Sequence, residues 1–493
     1  MEKPPHAKSN RYILPFSASA VPTGECLGSK HSYWTNPSVT SLIRDTDGDP
    51  IQTITDKARA LALDAIEKGW VGPPYDPFSL AELLRIRVIP REDIADARTV
   101  PSATGFVVEY NPNRPRVRIR YSLCHEIAHT LFPDSHQRVQ HRLTHDMMKG
   151  DDWQLEMLCN IAASELAMPV GSFPALSAEQ ISIDTVINLR KQFDVSAEAL
   201  VLRLIKLTDQ QCVAYGASRV VSGSSDRIRY VIDYALPSRT WPDAGVTAGT
   251  QVPFGSAVSE CTAIGYTAKR IEEWRSTGKV KVHCLGISPY PNQTFPRVIG
   301  LLRPVRQANA STAGITYLKG DATSPRGSGC QLLAQVVNDS AFTWGGGFSL
   351  AVREKWPAAQ QGFRAWAYGN RRNLSLGNIH VAKVDNTLSI TSMVAQHGYG
   401  PSSKPRIRYS ALRACLQHLR NIALEQHATV HMPRVGSGLA RDSWNIVSEL
   451  IDEALCQYGV SVFVYDLPGT EPRLDPQNTL PFATEHHATS ILN

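Results

Sequence analysis

The chain has no Cys-x-x-Cys pair, no dense block of like charge and no unbroken apolar run of the roughly eighteen residues that a membrane-spanning helix needs. Its nine cysteines are odd in number and scattered from Cys26 to Cys456. That spacing excludes a disulfide framework and a cysteine-type zinc knuckle, and it points to reduced thiols in a cytoplasmic protein. Lys3, Lys8 and Arg11 precede the run Tyr12 to Ala20, but a proline and serines in that run argue against a signal peptide and for an extended arm. Charge is also thin: Lys and Arg total 51 against 45 Asp and Glu, a net +6 that is dispersed along the chain. Such a balance leaves room for a weak DNA contact and gives no reason to expect DNA as the main partner. What remains, 42% hydrophobic and 8% aromatic residues over 493 positions, is the composition of a soluble chain of several domains.

Composition and periodicity divide the chain into an N-terminal arm at 1–53, a mostly helical segment at 54–210, a middle α+β domain at 211–302, a linker at 303–314, an α/β domain at 315–467 and a tail at 468–493. In the helical segment, apolar residues recur at helix spacing from Ile54, and a second helix begins near Ser79. Arg116 to Tyr121 alternates apolar and basic residues and predicts a strand running into a helix at Ser122. Helices are expected over Trp153 to Met168 and Asp184 to Leu207, the latter broken at Phe193 to Ser196 like a helix-turn-helix. In the middle domain, Cys212 to Val221, Arg227 to Tyr234, Gln251 to Phe254 and Lys279 to Ile287 read as strands and Thr267 to Arg275 as a helix.

His125-Glu-Ile-Ala-His129 places two imidazoles on one helical face, where both can reach one cation, with Glu126 beside them as a base. A catalytic zinc needs a third protein ligand. Position 135 is Ser, which excludes the metzincin pattern, and His136, His141, His145, Asp151, Asp152, Glu156 and Glu165 stand as candidates. Glu156 is preferred because it lies on a helix of small and apolar residues able to approach the metal helix closely.

Arg120 to His129, followed by Glu156-Met-Leu-Cys-Asn-Ile-Ala-Ala-Ser-Glu-Leu-Ala-Met-Pro169, resembles the ImmA/IrrE family of metallopeptidases over about residues 54 to 210. The resemblance implies a zincin-like fold, Glu156 as the third ligand, and limited cleavage of a regulatory protein, such as a repressor or effector, in a bacterial stress or phage-defence response. Two histidines and one carboxylate suit zinc, with manganese or iron as other occupants. Glu126 would take a proton from water and return it to the leaving amine.

Further on, Ile315 to Ala322 is a strand ending in Gly320-Asp321, and a second strand ends at Asn338 ahead of Trp344-Gly345-Gly346-Gly347-Phe348 and a helix. Val430 to Met432 leads into Pro433-Arg-Val-Gly436-Ser437-Gly438-Leu439. Two glycine loops at strand ends suit a diphosphate. These segments resemble a macrodomain of the ADP-ribose glycohydrolase-like branch. The resemblance implies that Asp321 holds the adenine amino group, that the glycine loops hold diphosphate and distal ribose, and that Lys383 stands where that branch carries its nucleophile. Ala440 replaces the aspartate that the protein-directed enzymes use. The reading that follows is a zinc metalloendopeptidase with no membrane partner, controlled or targeted by a sensor of an ADP-ribose-type nucleotide. An ADP-ribosyl hydrolase and a DNA-binding regulator are the alternatives.

Overall fold

The computed structural model describes residues 34–44, 49–103, 105–137, 140–141, 150–173, 181–220, 229–241, 245–275, 277–289, 294–305, 314–340, 342–400, 402, 405–435 and 443–467. The expected arm run at 12–20, His145, the loop Gly436 to Leu439 with Ala440, most of the linker and the tail lie outside the described residues. The chain divides into two compact units, residues 1–169 with 175–311, and residues 170–174 with 312–493. No helix among the described residues is long and apolar enough to cross a membrane. The cysteines among them, Cys124 to Cys456, are free thiols.

The first unit opens with helices α1 (Pro37–Arg44), α2 (Pro50–Glu67) and α3 (Pro77–Leu83). Asp49 caps α2 and Asp76 caps α3 through their carboxylates, each followed by a proline in the first turn. Strands β1 (Arg87–Pro90), β2 (Ala97–Ser102) and β3 (Gly105–Tyr110) follow, then α4 (Arg116–His129), β4 (Gln140–His141) and α5 (Asp152–Ala167). The sheet runs in the order β1-β3-β2-β4. Helices α6 (Ile183–Phe193) and α7 (Ala197–Leu207) are joined through Asp194 in the left-handed region, and Ser182 and Ser196 cap them.

Arg116 to Tyr121 is the first part of α4, not a strand. Its alternation is also compatible with a helix, because Arg116 and Arg120 stand four residues apart and both reach Asp194, at 2.8 and 3.4 Å, while Arg118 reaches Asp96 at 2.9 Å. Pro115 holds the N-cap position and starts the helix there.

The middle segment consists of β5 (Val213–Val220), β6 (Arg229–Pro237), β7 (Thr267–Trp274), β8 (Gly278–Ile287) and β9 (Arg297–Pro304). These form a five-stranded antiparallel sheet in the order β6-β5-β9-β8-β7. Thr267 to Trp274 is therefore a strand where a helix was expected. Its Ala, Lys, Arg and Glu favour a helix locally, but every residue of β7 pairs with β8, and that ladder overrides propensity. Gln251 contributes a single bridge to Val231 instead of a strand over Gln251 to Phe254. Strand β9 runs to Pro304, past the expected start of the linker.

The second unit contains β10 (Thr316–Lys319), β11 (Gln331–Asn338), α8 (Gly347–Lys355), α9 (Pro357–Gly369), β12 (Ile379–Lys383), β13 (Leu388–Gln396), α10 (Tyr409–Glu425), β14 (Thr429–Pro433), α11 (Trp444–Ala454) and β15 (Val462–Asp466). Its six-stranded sheet runs β10-β15-β14-β11-β13-β12, parallel except for β12. The near-continuous burial of β11 and β13 marks strands covered on both faces, the α/β arrangement expected of strands alternating with helices.

Candidate metal centre and ligand crevice

The last eight residues of α4, Ser122 to His129, are all buried, and α5 packs along them. His125 and His129 lie one turn apart with ring centroids 5.0 Å from each other. The carboxylate of Glu156 on α5 faces both: Oε2 is 3.2 Å from His125 Nε2, and Oε1 is 3.8 Å from His129 Nε2. Donors bound at about 2.0–2.1 Å in a tetrahedral site stand roughly 3.3 Å apart, so these spacings suit one small cation. His125 Nδ1 lies 3.0 Å from Asn160 Oδ1. A carbonyl oxygen can only accept, so Nδ1 carries the proton and the Nε2 lone pair points toward Glu156.

His125, His129 and Cys159 also form a cluster whose ligand atoms lie within 4.8 Å of one another. Cys159 Sγ, however, sits 3.3 Å from His129 Nδ1, on the opposite side of the ring from the nitrogen that faces Glu156. Burial pushes the Cys159 thiol well above its ordinary pKa, with Glu156 and Glu126 adding to the shift. Glu156, whose two oxygens face the Nε2 atoms of both histidines, and Cys159, beside Nδ1 of His129, are thus the two candidates for a third donor.

Glu126 is wholly buried, and Thr99 of β2 donates its hydroxyl to Glu126 Oε2 at 2.8 Å. Nothing in the sequence pattern singles out Thr99, since it meets Glu126 only through the packing of β2 on α4. Of the other candidate ligands, His136 is exposed and stacks on Phe106 at 4.3 Å. Glu165 faces away from the histidines, paired with Arg59 at 2.9 Å and with Arg203. The same pair bears on the helix-turn-helix. Of the two basic residues of α7, Arg203 is buried against Glu165 and Lys206 is exposed. Glu198, in the first turn of α7, is held by Arg297 of β9 at 2.7 and 2.9 Å and by Tyr234 of β6 at 2.7 Å. These contacts hold the N-terminus of α7 against the middle sheet.

In the second unit, the carboxyl ends of the parallel strands gather the other predicted residues. Asp321 follows β10, and both its oxygens are oriented by Thr323, through the backbone N–H and the hydroxyl, each at 2.8 Å. Asn338 ends β11 opposite Gln396 at the end of β13. Gly345 and Gly346 lead into α8, whose first residue, Gly347, has φ +56. A Cβ added at Gly345, Gly346 or Gly347 would meet nothing within 4 Å, so the backbone here lies open to a ligand. Trp344 is buried and packs on Phe363 at 5.4 Å, and Phe348 is half-buried.

Lys383 is not among them. It ends β12, which runs antiparallel, and it pairs with Ser389 at the start of β13, seven residues from Gln396. At about 3.3 Å per residue that is roughly 23 Å from the crevice. The strand reversal, invisible in local sequence, overturns the expected nucleophile. Two residues that sequence reasoning passed over, Asp339 and His397, directly follow the ends of β11 and β13. His397 Nδ1 lies 2.6 Å from Asp339 Oδ2. Burial would raise the Asp339 carboxyl, but the Gly398 amide, His397 and the Ser340 hydroxyl outweigh it and hold the pKa below its ordinary value.

Residues 82–204 match the IrrE N-terminal-like domain family of peptidases. A mouse chromodomain-helicase-DNA-binding protein 1-like is 27% identical over 170 residues, 33% of this chain and 19% of that protein. The chain thus spans about a fifth of that curated relative's length. Among solved structures, a Bacteroides thetaiotaomicron protein of unknown function is 39% identical over 32% of this chain and 100% of that one, with a TM-score of 0.30. A macrodomain protein from Streptomyces coelicolor is 37% identical over 31% of this chain and 98% of that one, with a TM-score of 0.28.

Proposed function

We propose that this protein is a metal-dependent endopeptidase of limited specificity, governed by a C-terminal macrodomain-like unit that binds ADP-ribose or a related nucleotide; the match of residues 82–204 to the IrrE N-terminal-like domain family supports the peptidase part of this reading. The reading rests on the buried convergence of His125, His129 and Glu156 beside Glu126. Zinc suits this donor set best, with manganese or iron as alternatives. A cation bound there would polarise the scissile carbonyl and acidify a water molecule.

The chain's own residues do the rest. His125 is oriented by Asn160, and Glu156 closes the donor set from the neighbouring helix. Glu126 accepts the proton of the attacking water and passes it to the leaving amine, its carboxylate steadied by Thr99. The substrate in this reading is a regulatory or effector protein. In the crevice, Asp321 takes the base, and the open glycine backbone before α8 takes the diphosphate.

Glu126→Gln is expected to abolish cleavage of a natural target while keeping one metal per chain by elemental analysis. Glu156→Ala is expected to lose both, and Cys159→Ala to keep the metal. Full metal content in Glu156→Ala together with loss in Cys159→Ala would reassign the third ligand.

A further inference from the structure

The five-stranded sheet of the middle segment has two edges, and they differ. The β6 edge is occupied: Ile232 N donates to Thr250 O at 2.9 Å, Val252 N to Tyr230 O at 3.0 Å and Gly249 N to Ile232 O at 2.8 Å. At the other end of the sheet, no strand among the described residues lies beyond β7. Gly286 N donates to Tyr266 O at 2.8 Å, in the register that pairs Thr267 with Leu285. Antiparallel bonds alternate, so Ala268, Arg270, Glu272 and Trp274 turn their backbone groups toward β8, while Thr267, Lys269, Ile271 and Glu273 turn theirs outward. All four outward positions are exposed, Ile271 at 53%. Ile264 and Tyr266, just ahead of the strand, are exposed at 61% and 59%. An open edge carrying large apolar side chains is a template for another strand.

The residues of that edge select the strand that fits it. Lys269-Arg270-Ile271-Glu272-Glu273 is antisymmetric in charge about Ile271. Against an antiparallel second copy with Ile271 opposite Ile271, Lys269 stands opposite Glu273, Arg270 stands opposite Glu272, and each outward N–H meets an outward C=O. A two-fold axis at Lys269, Arg270, Glu272 or Glu273 would instead set a charge against its own copy. An axis between two residues would pair outward positions with ones that face β8. Lys269, Ile271 and Glu273 share one face of the strand. Lys269 Nζ already meets Asp184 of α6, and an ammonium has donors for a second carboxylate. On the other face Arg270 is bonded to Gly255 O and Glu260, and Glu272 accepts from Ala257 N at 2.6 Å and Trp274 Nε1 at 2.9 Å. The register therefore depends chiefly on the Lys269–Glu273 pairs and on Ile271. We infer that β7 is a dimerisation strand, through which two copies of this chain join edge to edge about a two-fold axis at Ile271 and merge their middle sheets into one. The contact is isologous, the same patch serving both copies.

The test uses the full chain, with analytical ultracentrifugation over a range of concentrations and hydrogen exchange of the β7 amides over the same range. The wild type is expected to pass from 54.2 kDa to twice that mass as concentration rises, while exchange at Lys269, Ile271 and Glu273 slows. Ile271→Lys, which sets two ammonium groups at the axis, should stay at the single-chain mass. Glu273→Lys should raise the dimer Kd about 10-fold. Adding Lys269→Glu to it should return the Kd to near the wild-type value, a rescue that a merely destabilised sheet does not give. If Ile271→Lys fails to fold, that charge-reversal pair and the exchange of the wild type decide the matter. A wild type that keeps the single-chain mass at every concentration would overturn the inference. So would a dimer that neither Ile271→Lys nor Glu273→Lys weakens, or β7 amides whose exchange does not depend on concentration.

Discussion

Thr99 has one proton and two oxygens within reach on Glu126, the carboxylate Oε2 at 2.8 Å and the backbone oxygen at 2.9 Å. Both groups are buried, so no bulk water substitutes if the hydroxyl is removed. A hydrogen bond to a charged group contributes about 1.5–3 kcal/mol, which places Thr99→Val about 10- to 150-fold below the wild type in kcat. KM and metal content should not change, because Thr99 touches the base and none of the ligands. Thr99→Ser should restore most of the rate. A Thr99→Val enzyme with unaltered kcat would remove the hydroxyl from the mechanism.

Among the elements, α2, α5 and α7 meet through one buried carboxylate. Glu165 is 4% exposed and bonded to Arg203 and Arg59. Burial alone would raise its pKa, but Arg203 and then Arg59 reverse the shift and hold it down to about 2. Because the folded value lies below the unfolded one, the stabilisation is fully present above the ordinary carboxylate range and is lost as pH falls toward 2. Urea midpoints of the wild type and of Glu165→Gln should therefore differ most at neutral pH and converge as the pH drops below about 4. At neutral pH, removing one partner from such a buried set costs about 3–5 kcal/mol. A gap that stays constant down to pH 2 would show that the pair adds nothing through charge.

For the whole molecule, the chain ends α5 at Ala167 and by Val170 is already part of the second unit. In the proposed reading two unrelated chemistries share one chain, which is a reason to expect that a ligand of one changes the other. An effector coupling of about 1–3 kcal/mol corresponds to about a 5- to 150-fold change in cleavage of an unmodified target when nucleotide is added. Gly346→Trp would fill space that the protein leaves open rather than collide with it, so it should block nucleotide and abolish that response while basal cleavage persists. Asp321→Ala should weaken ADP-ribose binding about 5- to 150-fold by calorimetry. Cleavage unchanged at verified nucleotide occupancy would leave two tethered modules acting on one ADP-ribosylated protein.

Sequence alone determined whatever depends on spacing within one element or on the order of elements. The i, i+4 histidines of α4, the small-residue face of α5 around Glu156, the serine-capped pair α6 and α7, and the glycine run before α8 are all local patterns, and each was legible. Only the tertiary structure decided what depends on which element lies beside which. Strand β7 is built from helix-favouring residues and became a strand because β8 offered it a full ladder, while in α4 Asp194 answers Arg116 and Arg120 one turn apart and Asp96 answers Arg118. Thr99 reached Glu126 across 27 residues, and the antiparallel turn of β12 carried Lys383 to the far edge of the sheet while parallel β11 and β13 brought Asp339 and His397 together across 58. Periodicity records how a segment faces its surroundings, whereas pairing direction and long-range contact are settled by the free energy of the assembled core, to which every segment contributes at once.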